Sequence, residues 1–412
     1  MSKGWLVLNA GSSSIKFALF EDGDTGADPE VRLRGEISGL GREPRFQARA
    51  AGADSDLAAL DVRGVTSHED ALVRIFDWLD DRYRGTQVSG VGHRVVHGGR
   101  NHVAPVVVDP AIVAALEALT PLAPHHQPHN VAAIRAVMHR APQLPQVACF
   151  DTAFHARQPP VARRLPLPRE YEARGLLRYG FHGLSYEYII GALPRYTDGQ
   201  LPDRVIVAHL GNGASLCAVR DGRAIDTTMG FSTLDGLLMG TRCGTIDPGA
   251  LLHLMRVDGL GEAELSDLLY NRCGLLGISG ISADMRILLE SDAPQAREAV
   301  AMFCYVLRKQ IGALVAALEG LDALVFTGGI GEHAVRVRAD VCRALSWTGL
   351  RLNEQTNSAG AARISTPESA VGAWVIPTNE ELVIARHTRH CITSEGQSRP
   401  ATASAPIHEG RD

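Results

Sequence analysis

Val7-Leu8-Asn9-Ala10-Gly11-Ser12 and Val207-Ala208-His209-Leu210-Gly211-Asn212 are the two stretches that decide the fold. Each ends an apolar, strand-like run with a polar residue two places before a glycine. Each then leads into a second run, over 15–20 in the first case and 215–220 in the second. Gly, Ser and Asn at the joint suit a tight turn between strands. A single turn of this kind carries little weight. The same device repeated about half a chain apart reads as an internal repeat. It predicts an α/β protein of two related lobes, with a cleft between them and one turn on each wall.

The rest of the chain fits that frame. Its 412 residues, 45% apolar and 21% charged, suffice for two ordinary cores. Strands are expected over 5–8, 15–20, 31–37, 88–96 and 147–150, with helices over 69–79, 111–119 and 131–139. The pattern restarts with strands over 205–209 and 215–220, a hairpin at Asp221-Gly222, and a strand over 321–326. Val300, Phe303, Leu307, Ile311, Leu314 and Leu318 recur at helical spacing. A net charge of −5 offers no field for nucleic acid or anionic lipid, so neither is expected as a partner. Seven scattered cysteines without a Cys-x-x-Cys pair are expected as reduced thiols. With no signal-peptide pattern and no apolar stretch that reads as bilayer-spanning, a soluble cytoplasmic protein is expected. The Ser-, Pro-, Ala- and Gly-rich tail over 394–412 is expected to be disordered.

Several motifs carry chemistry, each beside a plainer alternative. Asn9-Ala10-Gly11-Ser12-Ser13-Ser14-Ile15-Lys16 is an ordinary turn or a phosphate cradle, in which Gly admits close approach, Ser hydroxyls and amides donate, and Lys16 adds charge. It lacks the Gly-Lys-Ser/Thr of a P-loop and gains weight from its counterpart Gly211-Asn212-Gly213. Thr327-Gly328-Gly329-Ile330-Gly331-Glu332 is a structural turn or a strand-to-helix junction that receives an anion. Arg94, in Gly92-His93-Arg94-Val95-Val96-His97-Gly98-Gly99, stands in a strand that reads as buried; it belongs to an ion pair or faces an anion. Arg242, in Met239-Gly240-Thr241-Arg242-Cys243-Gly244, is a surface side chain or a second arm of a clamp for carboxylate and phosphoryl oxygens. Asp151 ends a strand, where open α/β sheets place ligands, or it caps a helix. Glu380 serves the site or sits in a first helical turn. His125, His126 and His129 suggest zinc, but Pro124 and Pro128 argue against a regular helix presenting them together, and no cysteine is near. His182, taken alone, reads as structural.

Taken in order, the segments 9–16, 92–99, 150–156, 178–183, 209–215, 239–249, 279–286, 326–332 and 376–382 resemble the acetate kinase family, within the sugar kinase, Hsp70 and actin superfamily. They span nearly the whole chain before the tail. The resemblance implies duplicated actin/Hsp70-like (ribonuclease H-like) domains. The first lobe would comprise 1–151 plus 381–393, the second 152–380, with a homodimer through the second. It implies reversible transfer of a phosphoryl group from ATP to acetate, giving acetyl phosphate and ADP, in line and with Mg2+. Asp151 would be catalytic, Asn9 and Glu380 would place the metal, Arg94 would bind the carboxylate, Arg242 and His182 would stabilise the transition state, and His126 would be a further active-site histidine. The donor nucleotide would lie on Lys16, on His209, Leu210, Gly211, Asn212 and Gly213, on Asp284, Met285 and Arg286, and on Gly329, Ile330, Gly331, Glu332 and His333. An acetate carboxylate is already ionised at pH 7, its reference pKa being about 4. Asp151 is therefore expected to orient rather than take a proton.

The acyl pocket implied by the resemblance holds Val96 and Phe181. It also holds His125 and Thr233, where the family usually has leucine and proline, so a more polar pocket is expected, with weaker acetate binding or room for another short acid. Tyr186 and His333 also depart from common family residues. A propionate or butyrate kinase is the nearest alternative. A sugar kinase would need a general base and a polyol pocket whose motifs are missing here. A non-enzymatic filament or repressor relative is the other class, but a repressor should open on a helix-turn-helix, whereas this chain opens on its first strand.

Overall fold

The computed structural model describes residues 2–23, 27–53, 60–83 and 86–398. β1 (Ser2–Ala10), β2 (Ser14–Glu21), β3 (Glu30–Ser38), β4 (Arg45–Ala50), β5 (Thr86–Val95), β6 (Val106–Val107) and β7 (Gln146–Phe150) form one sheet, ordered β4-β3-β2-β1-β5-β7-β6. β8 (Arg204–Leu210), β9 (Ala214–Arg220), β10 (Arg223–Thr227), β11 (Ala323–Thr327) and β12 (Gly372–Val375) form the other, ordered β10-β9-β8-β11-β12. The first sheet holds an antiparallel meander of four strands, β1 to β4, and the second one of three, β8 to β10. Two parallel strands then extend each meander from its first strand: β5 beside β1 and β7 beside β5, β11 beside β8 and β12 beside β11. The repeat expected from the two glycine turns is therefore a repeat of hydrogen-bond pattern. The amide of Gly11 closes its turn on the Ser14 carbonyl at 2.8 Å, and that of Gly211 on Gly213 at 3.0 Å.

The parallel strands β7 and β11 are buried at every position, the mark of strands covered on both faces. Helix Pro294–Leu318 covers one face of the second sheet with a stripe from Ala296 through Val300, Phe303, Leu307 and Ile311 to Leu318. Contrary to the expectation of no bilayer-length stretch, this helix is long and apolar enough by composition to cross a membrane. Its stripe is instead spent on the core of the second lobe. Helix Gly183–Ala192 packs on the opposite face through Tyr186, Ile189 and Ile190. Helix Glu380–Ser398 returns to the first sheet, burying Val383, Ile384 and Ala385 against Trp5, Val7 and Cys149. Leu184 of the neighbouring helix joins that cluster, so the two lobes share a packed seam.

Two boundaries differ from expectation. Helix Gln127–Arg140 starts before residue 131, because Pro128 lies in its first turn, where a missing N–H costs nothing and the fixed φ suits the helix. Helix Glu380–Ser398 runs past residue 393 into the expected tail; the remainder of that tail, 399–412, lies outside the described residues.

Candidate functional site

The first wall of the cleft is built at adjacent strand ends. Parallel pairing sets Arg94 beside Cys149 and Val95 beside Phe150, so Asp151 emerges one residue beyond β7, next to the arginine. Arg94 Nη2 donates to Asp151 Oδ2 at 2.7 Å, and its Nε lies 3.0 and 3.2 Å from the two oxygens, a fork of the kind guanidinium makes with carboxylate. Glu380 Oε2 stands 3.7 Å from Arg94 Nη1. Burial would lower the pKa of Arg94, but the charges of Asp151 and Glu380 outweigh it and hold the guanidinium firmly protonated. Burial pushes the Asp151 carboxyl above its usual range, opposed by Arg94. The buried side chain of Asn130 ties this wall to the first turn. Its Nδ2 donates to the Ala10 carbonyl at 2.9 Å and its Oδ1 accepts from the Val96 amide at 3.0 Å.

The second wall comes from the other lobe. His182 has φ 58°, a left-handed conformation that precedes helix Gly183–Ala192. Its ring stacks on that of His209 at a centroid distance of 4.3 Å. His182 Nδ1 meets Ser215 Oγ at 2.8 Å, and His209 Nδ1 meets Ser185 Oγ at 2.8 Å. Arg242 Nη1 donates to the Thr233 carbonyl at 2.9 Å. A β-carbon on Gly213 would lie 2.9 Å from Arg242 Nη2 and 3.5 Å from His182 Nε2, so both groups face the bare backbone of that turn. Arg242 makes no ion pair with a carboxylate among the described residues, and burial lowers its pKa. His126, just ahead of helix Gln127–Arg140, is pushed down to about 4 by burial, with the charges of Arg242 and Arg94 adding to the effect.

Two cavities flank these walls. One, of about 590 Å³, is lined by Asn9, Lys16, Arg34, Arg94, Asn379 and Glu380. The other, of about 470 Å³, is lined by Gly211, Asn212, Asp284, Met285, Arg286, Gly329, Ile330 and His333. Asn9, Arg94 and Glu380 thus meet as expected from one cavity, and Asp151 joins them through Arg94. Lys16 lies in this first cavity rather than among the other nucleotide candidates, because it pairs with Asn9 across β1 and β2. Of the remaining candidates, Leu210 and Gly331 are core, and Glu332 accepts from the Gly328 amide at 2.9 Å, holding its own turn. Gly328 needs its φ of 75°, since a β-carbon there would stand 2.8 Å from the Leu210 carbonyl. Val96 and Phe181 share one apolar cluster. His125 is exposed, its ring 4.6 Å from that of Tyr270. Asn130, Ser185 and Ser215 are not legible as partners in the sequence, because each acts through a contact distant along the chain. His129 stacks on His68 at 5.1 Å, away from a zinc arrangement; no metal-binding cluster of His, Cys, Asp and Glu occurs among the described residues.

Burial also sets how the protein responds to acid. It lowers His93, His97, His126, His155 and His209 to about 4, and His182 well below its usual value. Between about pH 4 and 6.5 the unfolded chain binds protons that the folded chain refuses, so stability is lost as pH falls through that window. Near pH 5.5 unfolding should take up about five protons. The slope of unfolding free energy against pH measures this; an uptake below about two would mean that these rings are charged in the fold.

The family model of the acetokinase family matches residues 4–386. The chain is 52% identical to an acetate kinase of Rhodopseudomonas palustris, over 94% of this chain and 98% of that protein, and 45% identical to one of Rhizobium meliloti over the same shares. Among solved structures it resembles the acetate kinase of Porphyromonas gingivalis (35% identity, TM-score 0.84, covering 95% of this chain and 100% of that one). It likewise resembles a propionate kinase of Francisella tularensis (35% identity, TM-score 0.86, covering 94% and 99%). The duplicated sheets are thus those of the actin/Hsp70-like fold.

Proposed function

The chain belongs to the acetokinase family, and from that premise we propose that it is an acetate kinase, transferring the terminal phosphoryl group of ATP to acetate. A carboxylate oxygen of acetate attacks the γ-phosphorus; the bond from that phosphorus to the β,γ-bridging oxygen breaks; ADP leaves with the electron pair. No proton moves. Such a transfer asks the protein for position and charge neutralisation. Asp151 holds the Arg94 fork, and Arg94 receives the acetate carboxylate. Arg242, without an ion-paired carboxylate among the described residues, receives the charge spread over the phosphoryl oxygens, and His182 stands beside it. The cavity at Asp284–Arg286 and Gly329–His333 takes the nucleotide. Val96 and Phe181 wall the methyl end.

Magnesium fits the donor set. Asn9 and Glu380 line one cavity and offer an amide and a carboxylate rather than a complete cage, and magnesium prefers one or two carboxylates plus substrate phosphates and water. Asn9 and Glu380 would hold it, and it would neutralise phosphate charge. The acceptor and metal would belong to 1–151 with the final helix, and the nucleotide to 152–380. A homodimer through the second lobe completes the proposal. No residue of helix Pro248–Val257 is buried, and Leu252, Met255 and Val257 are 57%, 46% and 63% exposed.

The observation that carries this reading is a carboxylate-held arginine on one wall facing, on the other, an arginine with no ion-paired carboxylate among the described residues. Trapping acyl phosphate with hydroxylamine, using acetate, propionate and butyrate in turn, tests it. Acetate should give the highest kcat/KM, and omission of ATP or magnesium should abolish the product. A preference for propionate would assign the chain to the neighbouring specificity, and no product from any acid would remove the enzyme reading.

A further inference from the structure

Tyr186 and Ser215 form a buried polar chain behind His182 that the transfer itself does not use. Both are fully buried. The Tyr186 hydroxyl and Ser215 Oγ are in direct hydrogen-bond contact, and Ser215 Oγ lies 2.8 Å from His182 Nδ1. Among the described residues, Ser215 Oγ is the one hydrogen-bond partner of the Tyr186 hydroxyl. A neutral phenol carries one hydrogen, and a buried hydroxyl that fails to donate incurs a desolvation cost. Burial raises the Tyr186 pKa far above its usual value, so the phenol keeps that hydrogen. Tyr186 therefore donates to Ser215. The single hydrogen of Ser215 is left for its other partner, His182 Nδ1, which must accept it. A neutral imidazole accepting at Nδ1 carries its proton on Nε2. That is the nitrogen 3.5 Å from a β-carbon placed on Gly213, beside Arg242 Nη2.

We propose that Tyr186 and Ser215 are positioning residues that fix His182 in its Nε2–H tautomer, so that a neutral imidazole offers a hydrogen-bond donor to the phosphoryl oxygens next to Arg242. The inference rests on the reading of this cleft as a phosphoryl-transfer site. It adds a device that sets which ring nitrogen can donate. The left-handed φ of His182 serves the same end: a conformation sparsely populated outside glycine persists because the surrounding contacts over-determine it. Helix Gly183–Ala192 begins immediately after this residue and carries Tyr186 on the turn that follows, so one short element sets the ring's backbone conformation and holds the outer end of its hydrogen-bond chain.

The test reads the tautomer directly. In the full-length protein with 15N-labelled histidine, long-range proton–nitrogen correlation spectra distinguish a bare from a protonated ring nitrogen. The His182 signals are those missing from His182→Gln. In the wild-type protein Nδ1 should be bare and Nε2 protonated. Tyr186→Phe keeps the ring and removes the donor; it should move a substantial fraction of His182 to the Nδ1–H form and lower kcat about tenfold, with KM for acetate changed less than about twofold. Ser215→Ala should do the same, and Ser215→Thr, which keeps the hydroxyl, should restore both. A wild-type His182 protonated on Nδ1 overturns the proposal, as does an unchanged tautomer in both Tyr186→Phe and Ser215→Ala. A shifted tautomer with unaltered kcat overturns the donor role. Failure of the kinase reading would look different: the wild-type protein would form no acyl phosphate, whatever its spectra.

Discussion

Asp151→Asn should lower kcat by about 10³-fold and also lower the melting temperature, by about 2 °C. The substitution preserves volume, so no cavity opens, and the loss must come from charge and donor geometry. The carboxylate now accepts from Nε and Nη2 of Arg94 at 2.7–3.2 Å. An amide offers one acceptor oxygen, and its NH2 group would confront the guanidinium with hydrogen against hydrogen. The fork must rotate or retreat. Misplacing a reacting group by about 1 Å costs about 10² in rate; loss of the charge that organises the rest of the wall supplies the remaining factor. Stability falls because a guanidinium with little access to water keeps, among the carboxylates of the described residues, only Glu380, 3.7 Å away, and stripping a partner from a buried pair costs more than the pair contributed. That second partner limits the loss to about 2 kcal/mol. Hydroxamate kinetics and calorimetry give the two numbers, and a magnesium titration gives a third, since the requirement should rise. Full activity with an unchanged magnesium requirement would show that the carboxylate organises nothing.

That pair also shows what the chain reveals before it folds. Turn chemistry and strand periodicity are local, so the repeated Gly11 and Gly211 turns predict two related lobes, and the apolar runs at β7 and β11 predict strands; that these strands pair in parallel emerges only in the fold. Arg94 in a strand and Asp151 at a strand end were each readable as candidates. Their partnership was not, because it depends on the register of β5 with β7, which is set by packing across the sheet. The same holds for Asn130, whose bonds to Ala10 and Val96 join three elements, and for the Tyr186–Ser215–His182 chain. Helix Gln127–Arg140 starts earlier than periodicity predicts for a local reason: a proline such as Pro128 is tolerated in a first turn. The nucleotide role of Lys16 is an implication of the family resemblance. Strand alternation and pairing with Asn9 put it in the other cavity.

Arg242→Met should reduce kcat by about 10⁴-fold, a larger loss than that from Asp151→Asn, yet raise the melting temperature by about 1 °C. The two arginines of the cleft differ in what holds them. Arg94 is paired, and its pKa is raised. Arg242 has a carbonyl, Thr233, as its partner at Nη1, no ion-paired carboxylate among the described residues, and a pKa lowered by burial. A cation kept out of water without a counter-charge destabilises the free protein, and replacing it with an apolar side chain of similar reach relieves that cost, about 1 kcal/mol. The same unpaired charge is what the phosphoryl oxygens need at the moment of transfer, where a positioned arginine contributes about 10³–10⁵ in rate. Arg242→Lys separates charge from shape. An ammonium keeps the charge but lacks the fork that binds Thr233 with one nitrogen while facing the Gly213 turn with another, so it should recover no more than about a tenth of wild-type kcat. Activity and stability moving together in Arg242→Met, both down, would mean that the guanidinium is a structural member of the loop around Thr233. Movement in opposite directions identifies a site that is held under electrostatic strain until its anion arrives.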